Sequence, residues 1–162
     1  MSPQDFERLY AEHAHPLLGF LVYRTGDRAL AEDMLADTFE KVLRTRRGFD
    51  RRRASEKTWL YTIALNRLRD HTRRAGVESR AIERAAVEVS AGDGRGGLDL
   101  AESRQSLTTA LAALSPEERE AVALRYGADL SVPEVARVLG ESVTTMEGRV
   151  YRALGKLRET LG

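Results

Sequence analysis

The sequence of 162 residues predicts an all-α protein of two helical modules joined by a flexible linker, the C-terminal module being a helix-turn-helix. Apolar residues recur every three or four positions in most of the chain, which is the spacing of one helix face. Residues 75–100 break this pattern, with four glycines between Gly92 and Gly97. Such a stretch is typical of a flexible linker. The predicted units are therefore 1–74, the linker 75–100, and 101–162.

The first module begins with two predicted helical segments. Pro3–Tyr23 is predicted to be a helix or a helix pair, with Pro16 marking a break or kink. Residues 25–27 then supply a turn and an N-cap for a helix from Arg28 to about Arg44. One face of this second helix is apolar, and Asp33, Asp37 and Glu40 share the other face.

The third helix of the first module, residues 59–74, is predicted to be the central one. Its apolar stripe predicts packing against neighbouring helices and consists of Leu60, Tyr61, Ala64, Leu65 and Leu68. The opposite face carries Thr62, Asn66, Arg69 and Arg73 at helical spacing. A hydroxyl, an amide and two guanidinium groups on one ridge are suited to contacts with bases and phosphates.

Positive charge is concentrated around this helix. The whole chain has a formal net charge of only +1, but residues 43–74 contain eleven basic and three acidic residues. Residues 44–57, directly before the third helix, form a polar, arginine-rich stretch that predicts a loop. This asymmetry indicates contact with a polyanion more strongly than the net charge does.

In the second module, two capping boxes open successive helices, at Ser115–Glu118 and Ser131–Glu134. Ser142 can cap a final helix that extends to about residue 161. Ala136, Gly140 and Met146 have the spacing of a helix-turn-helix. The four predicted helices are 101–114, 117–126, 131–139 and 143–161.

Several motifs in order resemble a known family: Trp-Leu-Tyr at 59–61, Ile-Ala at 63–64, Asn66, Asp-His at 70–71 and Arg-Arg at 73–74. Together they resemble the promoter-melting segment of the extracytoplasmic-function (ECF) group of sigma-70-type sigma factors. The resemblance extends over about residues 6–74 and 107–161. It implies an alternative sigma factor that binds core RNA polymerase, recognises and melts specific promoters, and directs transcription initiation.

The resemblance also implies site residues and partners. The residues that match the motif for docking on core polymerase are Glu32, Asp33, Leu35, Asp37, Thr38, Phe39 and Glu40. Those for the minus-10 DNA are Arg51, Arg52, Arg53, Trp59, Thr62, Asn66, Arg69, Arg73 and Arg74. Those for the minus-35 duplex are Ser142, Thr144, Thr145, Glu147, Arg149, Arg152 and Lys156. The implied partners are core RNA polymerase, promoter DNA and an anti-sigma factor.

One stretch of the final helix departs from the family pattern. Where the family commonly has Thr-Val-Lys-Ser, this chain has Thr-Met-Glu-Gly at 145–148. Glu147 replaces a frequent basic residue, and Gly148 weakens the helix by about 1 kcal/mol relative to alanine. Glutamate can accept a hydrogen bond from cytosine N4, or it can reduce phosphate affinity.

Other functional classes receive no support from the sequence. There is no cysteine, no phosphate-binding glycine loop, no HExxH motif and no Ser/His/Asp set in a known order. We therefore expect no enzyme activity, catalytic residues, metal site or cofactor. No signal pattern or apolar run of about 20 residues is present, so we expect a cytoplasmic protein without membrane insertion. Two alternatives are a helix-turn-helix regulator and a polymerase-binding adaptor with weak DNA recognition.

Overall fold

The structure, a computed structural model, describes residues 1–75 and 98–161 and contains helices but no strands in these ranges. The first module comprises α1 (Pro3–Thr25), α2 (Arg28–Thr45), a 3-10 turn (Arg46–Gly48) and α3 (Glu56–Ala75). The second comprises α4 (Leu98–Ala112), α5 (Pro116–Val122), a π-helical segment (Ala123–Gly127), α6 (Val132–Leu139) and α7 (Val143–Leu161). The all-α prediction is confirmed. The predicted linker falls largely outside the described residues.

The core of the first module forms where α1, α2 and α3 pack on one another. All five residues of the predicted apolar stripe of α3 are buried. α1 is one helix, so of the two predicted alternatives the single helix is correct, and Pro16 does not break it. Leu9 and Leu17, on either side of the proline, both lie in the core, which holds the helix together. Because Glu12 and Pro16 are both exposed, the Glu12 carbonyl that proline leaves without a helical partner can be hydrated.

The second module is organised around α7, which packs against α4, α5 and α6. Both predicted capping boxes are present, with reciprocal bonds between each serine and the glutamate three residues later. The helix-turn-helix prediction is confirmed, since Ala136 and Met146 are buried and Gly140 adopts a left-handed conformation with φ of 69°. Leu161 is exposed at the end of α7, whereas Leu157, one turn earlier, packs against a small apolar cluster of this module.

The two modules pack against each other, which the sequence did not predict. α6 contacts α3, and the π-helical segment contacts α1. Buried side chains of both modules belong to one apolar cluster, which includes Leu65 from α3 and Val135 from α6. The N-terminal end of α3 consequently lies beside the helix-turn-helix.

Candidate nucleic-acid and polymerase interfaces

The arginine-rich loop before α3 is built around an aromatic pair. The Phe49 and Trp59 rings lie 4.7 Å apart, centroid to centroid, at an interplanar angle of 33°. The carboxylate of Asp50 accepts a hydrogen bond from the Arg52 amide at 2.9 Å, which tightens the turn. Both rings are half-buried, so each keeps part of its surface accessible beside the exposed Arg52 and Arg53.

The three loop arginines differ in their surroundings. Arg51 donates to Glu56 at 3.0 Å and lies 3.7 Å from Asp5, so acids of the first module hold it. In the described part of the chain, the one ion pair of Arg53 is a long contact of 4.0 Å with Asp50. The side chain of Arg53 is 84% exposed, which leaves it available to a phosphate.

The predicted polar ridge of α3 lies on the surface. Asn66, Arg69, Arg73 and Arg74 are exposed. Thr62 is half-buried, and its hydroxyl donates to the Thr58 carbonyl at 2.8 Å, leaving the oxygen able to accept. The ridge therefore presents an amide and three guanidinium groups to solvent along one side of the helix.

The predicted polymerase-binding segment of α2 is only partly exposed. Glu32, Asp33, Asp37 and Glu40 are exposed, and Leu35 is half-buried. Thr38 and Phe39 are buried in the first module, which corrects the expectation that they lie on the docking surface. The Thr38 hydroxyl donates to the Met34 carbonyl at 2.7 Å. The Phe39 ring packs edge-on against Tyr10, with the centroids 4.8 Å apart.

Arg67 is a neighbour of this acidic face that the sequence analysis did not single out. Its Nε donates to the Asp37 carboxylate at 2.9 Å, which joins α3 to α2. Arg28 pairs with Glu32 at 3.2 Å, and Arg44 pairs with Glu40. Asp33 has no ion pair within the described residues. No sequence signal relates positions 37 and 67, because their proximity depends on how the two helices pack.

The N-terminal end of α7 carries the predicted base-reading residues. The Ser142 hydroxyl accepts from the Thr145 amide at 3.1 Å, which confirms its capping role. It also bonds the Thr145 hydroxyl at 2.8 Å. Thr144, Thr145 and Glu147 are exposed, so side chains that can contact bases project from the first two turns.

Two of the four cations of α7 are held by acids of their own module. Arg149 pairs with Glu141 at 3.2 Å, and its side chain is only 15% exposed. Lys156 donates to Glu118 at 2.7 Å, and this bond, with bonds from Ser115, holds the pKa of Glu118 below its usual value. Arg152 is exposed and lies against Gly148, where an added Cβ would be 3.1 Å from its Nη1. The predicted basic flank is therefore partly neutralised.

Residues 1–75 and 98–161 offer neither a membrane-spanning helix nor a cluster of metal ligands. None of the helices there combines the length and the apolar character needed to cross a membrane. No group of three histidine, aspartate or glutamate side chains in that part of the chain could hold a metal ion.

Comparisons with known proteins agree with this geometry. Residues 9–77 match Sigma-70 region 2, and residues 104–157 match Sigma-70, region 4. RNA polymerase sigma factor CarQ of Myxococcus xanthus is 37% identical over 159 residues, covering 97% of this chain and 89% of CarQ. ECF RNA polymerase sigma factor BldN of Streptomyces coelicolor is 30% identical, covering 94% of this chain and 60% of BldN.

A solved structure extends the likeness to the arrangement of the helices. The sigma factor RpoE in complex with the anti-sigma factor NepR from Bartonella quintana matches with a TM-score of 0.71 and 28% identity. The match covers 98% of this chain and 97% of RpoE. The chain therefore belongs to the ECF group of the sigma-70 family of RNA polymerase sigma factors.

Proposed function

We propose that this protein is an alternative sigma factor that binds core RNA polymerase, recognises and melts specific promoters, and directs transcription initiation without catalysing a reaction itself. The observation that carries the proposal is the exposed ridge of Asn66, Arg69 and Arg73 beside the Phe49–Trp59 pair. Single-stranded nucleic acid is bound by cationic grooves combined with aromatic surfaces.

The minus-10 element is the target assigned to α3 and its preceding loop. Arg52, Arg53, Arg69, Arg73 and Arg74 supply exposed positive charge for the backbone of the opened strand. Asn66 can donate to and accept from a base edge, so it is the residue assigned to base recognition. Trp59 and Thr62 border the loop and shape the site, while Arg51 orders the loop through Glu56.

Core polymerase is the partner assigned to the acidic face of α2. Glu32, Asp33, Leu35, Asp37 and Glu40 form the contact surface. Thr38 and Phe39 are buried, so they support this surface indirectly by holding α2 against the rest of the first module. Asp33 makes no ion pair in the described part of the chain, so a cation of the partner can approach it without breaking an existing bond.

The minus-35 duplex is assigned to α7. Thr144, Thr145 and Glu147 face the bases, with Glu147 suited to accept from cytosine N4. Arg152 contacts phosphate, whereas Arg149 and Lys156 brace the helix through Glu141 and Glu118. Ser142 fixes the start of the helix.

The proposal also covers the division into modules, the cellular location and a further protein partner. The units act as a core-binding and minus-10 module at 1–74, a linker at 75–100 and a minus-35 module at 101–162. The protein works in the cytoplasm, where core polymerase and promoter DNA are found. An anti-sigma factor is a further partner, in line with the RpoE structure, which contains one.

The test is run-off transcription with purified core polymerase on a promoter library. We expect transcripts that start at defined positions and require this protein. Binding to core polymerase without any specific start would favour the adaptor, and specific DNA binding without polymerase would favour the one-module regulator. Asp33→Lys should abolish the transcripts by weakening core binding. Glu7→Lys, on the exposed surface of α1, is the control with the same charge change.

A further inference from the structure

Glu134 joins the two modules with one carboxylate. Its Oε1 accepts from the Ser131 amide at 2.9 Å, which caps α6 within the second module. Its Oε2 accepts from the Thr58 hydroxyl at 3.0 Å and the Ser55 hydroxyl at 3.3 Å, both at the start of α3. One side chain therefore caps its own helix and bonds the first module.

The contact is extended by the neighbouring residue of α3 and is well packed. The Lys57 ammonium donates to the Asp129 carbonyl at 3.3 Å. Thr58 is only 2% exposed, because α6 covers it. Burial alone would raise the pKa of Glu134, but bonds from Ser131, Thr58 and Ser55 outweigh it and lower the pKa. The carboxylate is thus charged and fully engaged near neutral pH.

The contact places α6 beside the loop end of the minus-10 surface, across an open cleft. Arg137 of α6 lines the same cleft as Arg53, Trp59 and Thr62, with a volume of about 580 Å³. On the adjoining side, Val143 at the start of α7 shares a second cleft with Arg53. A DNA strand following the ridge of α3 towards the loop would meet the second module at this point.

We infer that the free protein closes on itself: Glu134 clamps α6 to the start of α3 and occludes the loop end of the minus-10 surface until the modules separate. The inference rests on the proposed function only for the identity of the covered surface. If only the open molecules bind DNA, the apparent affinity equals the affinity of the open form multiplied by the fraction of molecules that is open. Opening exposes Glu134 to water, where its charge remains solvated.

Closure is measured by crosslinking in the full chain, which contains no cysteine. Gly48→Cys and Arg137→Cys place thiols on the two modules along the shared cleft, at positions assigned no contact with DNA or core polymerase. A Cβ added at Gly48 would meet nothing within 4 Å. A short bismaleimide containing a disulfide should join them in the free protein. Adding Glu134→Lys, which sets a cation beside Lys57 and Arg53, should reduce the crosslink yield severalfold.

Glu117→Lys is the matched control, since Glu117 is exposed in the first turn of α5 and the charge change is the same. Thr58→Val is a second variant that removes the hydroxyl without adding charge, and it should reduce the yield to a smaller extent. Circular dichroism establishes that each variant is folded. Equal yields in Glu134→Lys and Glu117→Lys, or no crosslink in the parent, would overturn the clamp.

Occlusion is measured by run-off transcription with the crosslinked protein. We expect loss of promoter-dependent transcripts, restored when a reductant cleaves the crosslinker. Full activity while crosslinked would overturn occlusion. A parent protein without the two cysteines that gives no specific transcripts would place the failure in the proposed function, and the crosslink yields would still decide closure.

Discussion

The two helices assigned to DNA, α3 and α7, have similar lengths but hold their cations differently. Arg69, Arg73 and Arg74 of α3 are exposed, and residues 43–74 contain eleven basic residues against three acidic ones. On α7, Glu141 and Glu118 already bind Arg149 and Lys156. Residues 119–162 contain seven basic and six acidic residues. A count of arginines and lysines therefore overstates what α7 can offer to phosphates.

This difference predicts that the two surfaces perform different work. Unpaired cations release counterions when they meet phosphate, which gives affinity without sequence information. A cation that is already paired must first break a bond within the protein, so it gains less. α3 is thus suited to holding an opened strand, whereas α7 is suited to positioning a few side chains against bases.

The largest expected effect concerns Asn66 on α3. Asn66→Ala should reduce transcription from duplex promoters by roughly tenfold, since a good base contact contributes about 1–3 kcal/mol. Templates with a pre-melted bubble should lose less, because the strand is already open. Run-off assays on both templates measure the difference.

Gln105→Ala is the matched control, as it removes an exposed amide from α4, outside the predicted DNA surfaces. If Asn66→Ala lost equal activity on duplex and bubble templates, with core binding unchanged, Asn66 would have no part in melting.

A smaller effect is expected at Glu147 on α7. Glu147→Lys should strengthen binding of the holoenzyme to duplex DNA carrying the upstream element and change the preferred base there. One added phosphate contact would steepen the dependence of log affinity on log salt by about 0.9. Fluorescence anisotropy at several salt concentrations provides the measurement. Glu159→Lys, exposed near the other end of α7, should change neither quantity. If Glu147→Lys and Glu159→Lys raised the affinity for duplex DNA equally, the gain would be non-specific electrostatic attraction.

The ion pair between Lys156 of α7 and Glu118 also predicts that the stability of the folded protein depends on pH. The bond from Lys156 lowers the pKa of Glu118 in the folded protein below the ordinary value of 4.5. Its contribution to stability is therefore present above about pH 4.5 and is lost as pH falls through the lower, folded value. Thermal unfolding followed between pH 6 and pH 3 should show a falling melting temperature.

Glu118→Gln should reduce the fall in melting temperature between pH 6 and pH 3, because glutamine can still cap α5 but does not titrate. Glu134 and Asp5 also have lowered pKa values, so part of the fall remains in the variant. An unchanged slope in Glu118→Gln would show that the bond between Lys156 and Glu118 contributes nothing to stability.

The sequence predicted those features that depend on neighbouring positions along the chain. The buried stripe of α3, the caps at Ser115 and Ser131 and the turn at Gly140 follow from helical spacing and backbone conformation. These are local rules, so they do not require knowledge of how the helices pack.

Features that depend on packing were not predictable in the same way. The bonds between Arg67 and Asp37 and between Thr58 and Glu134 join residues that are 30 and 76 positions apart. Thr38 and Phe39 were assigned to docking although both are buried, because a family motif marks a segment without separating its surface from its support. Sequence alone left a helix pair open at Pro16, because the packing that outweighs the low helix propensity of proline is a tertiary feature.

The smallest expected effect is at Gly148, where α7 departs from the family pattern. Gly148→Ala should raise helix stability by about 1 kcal/mol, or about 2–4 °C in melting temperature. The new Cβ would lie 3.1 Å from Nη1 of Arg152, the far end of a flexible side chain that can swing away. Gly155→Ala is the matched control on the same helix, because its Cβ would meet nothing within 4 Å.

The difference between the two melting temperatures measures the cost of displacing Arg152. A small difference would mean that the Arg152 side chain moves freely and can contact phosphate. The comparison with α3 requires this freedom, because Arg152 is the exposed arginine near the middle of α7. If Gly148→Ala destabilised the protein while Gly155→Ala stabilised it, Arg152 would be held in place, and α7 would contribute still less charge to DNA.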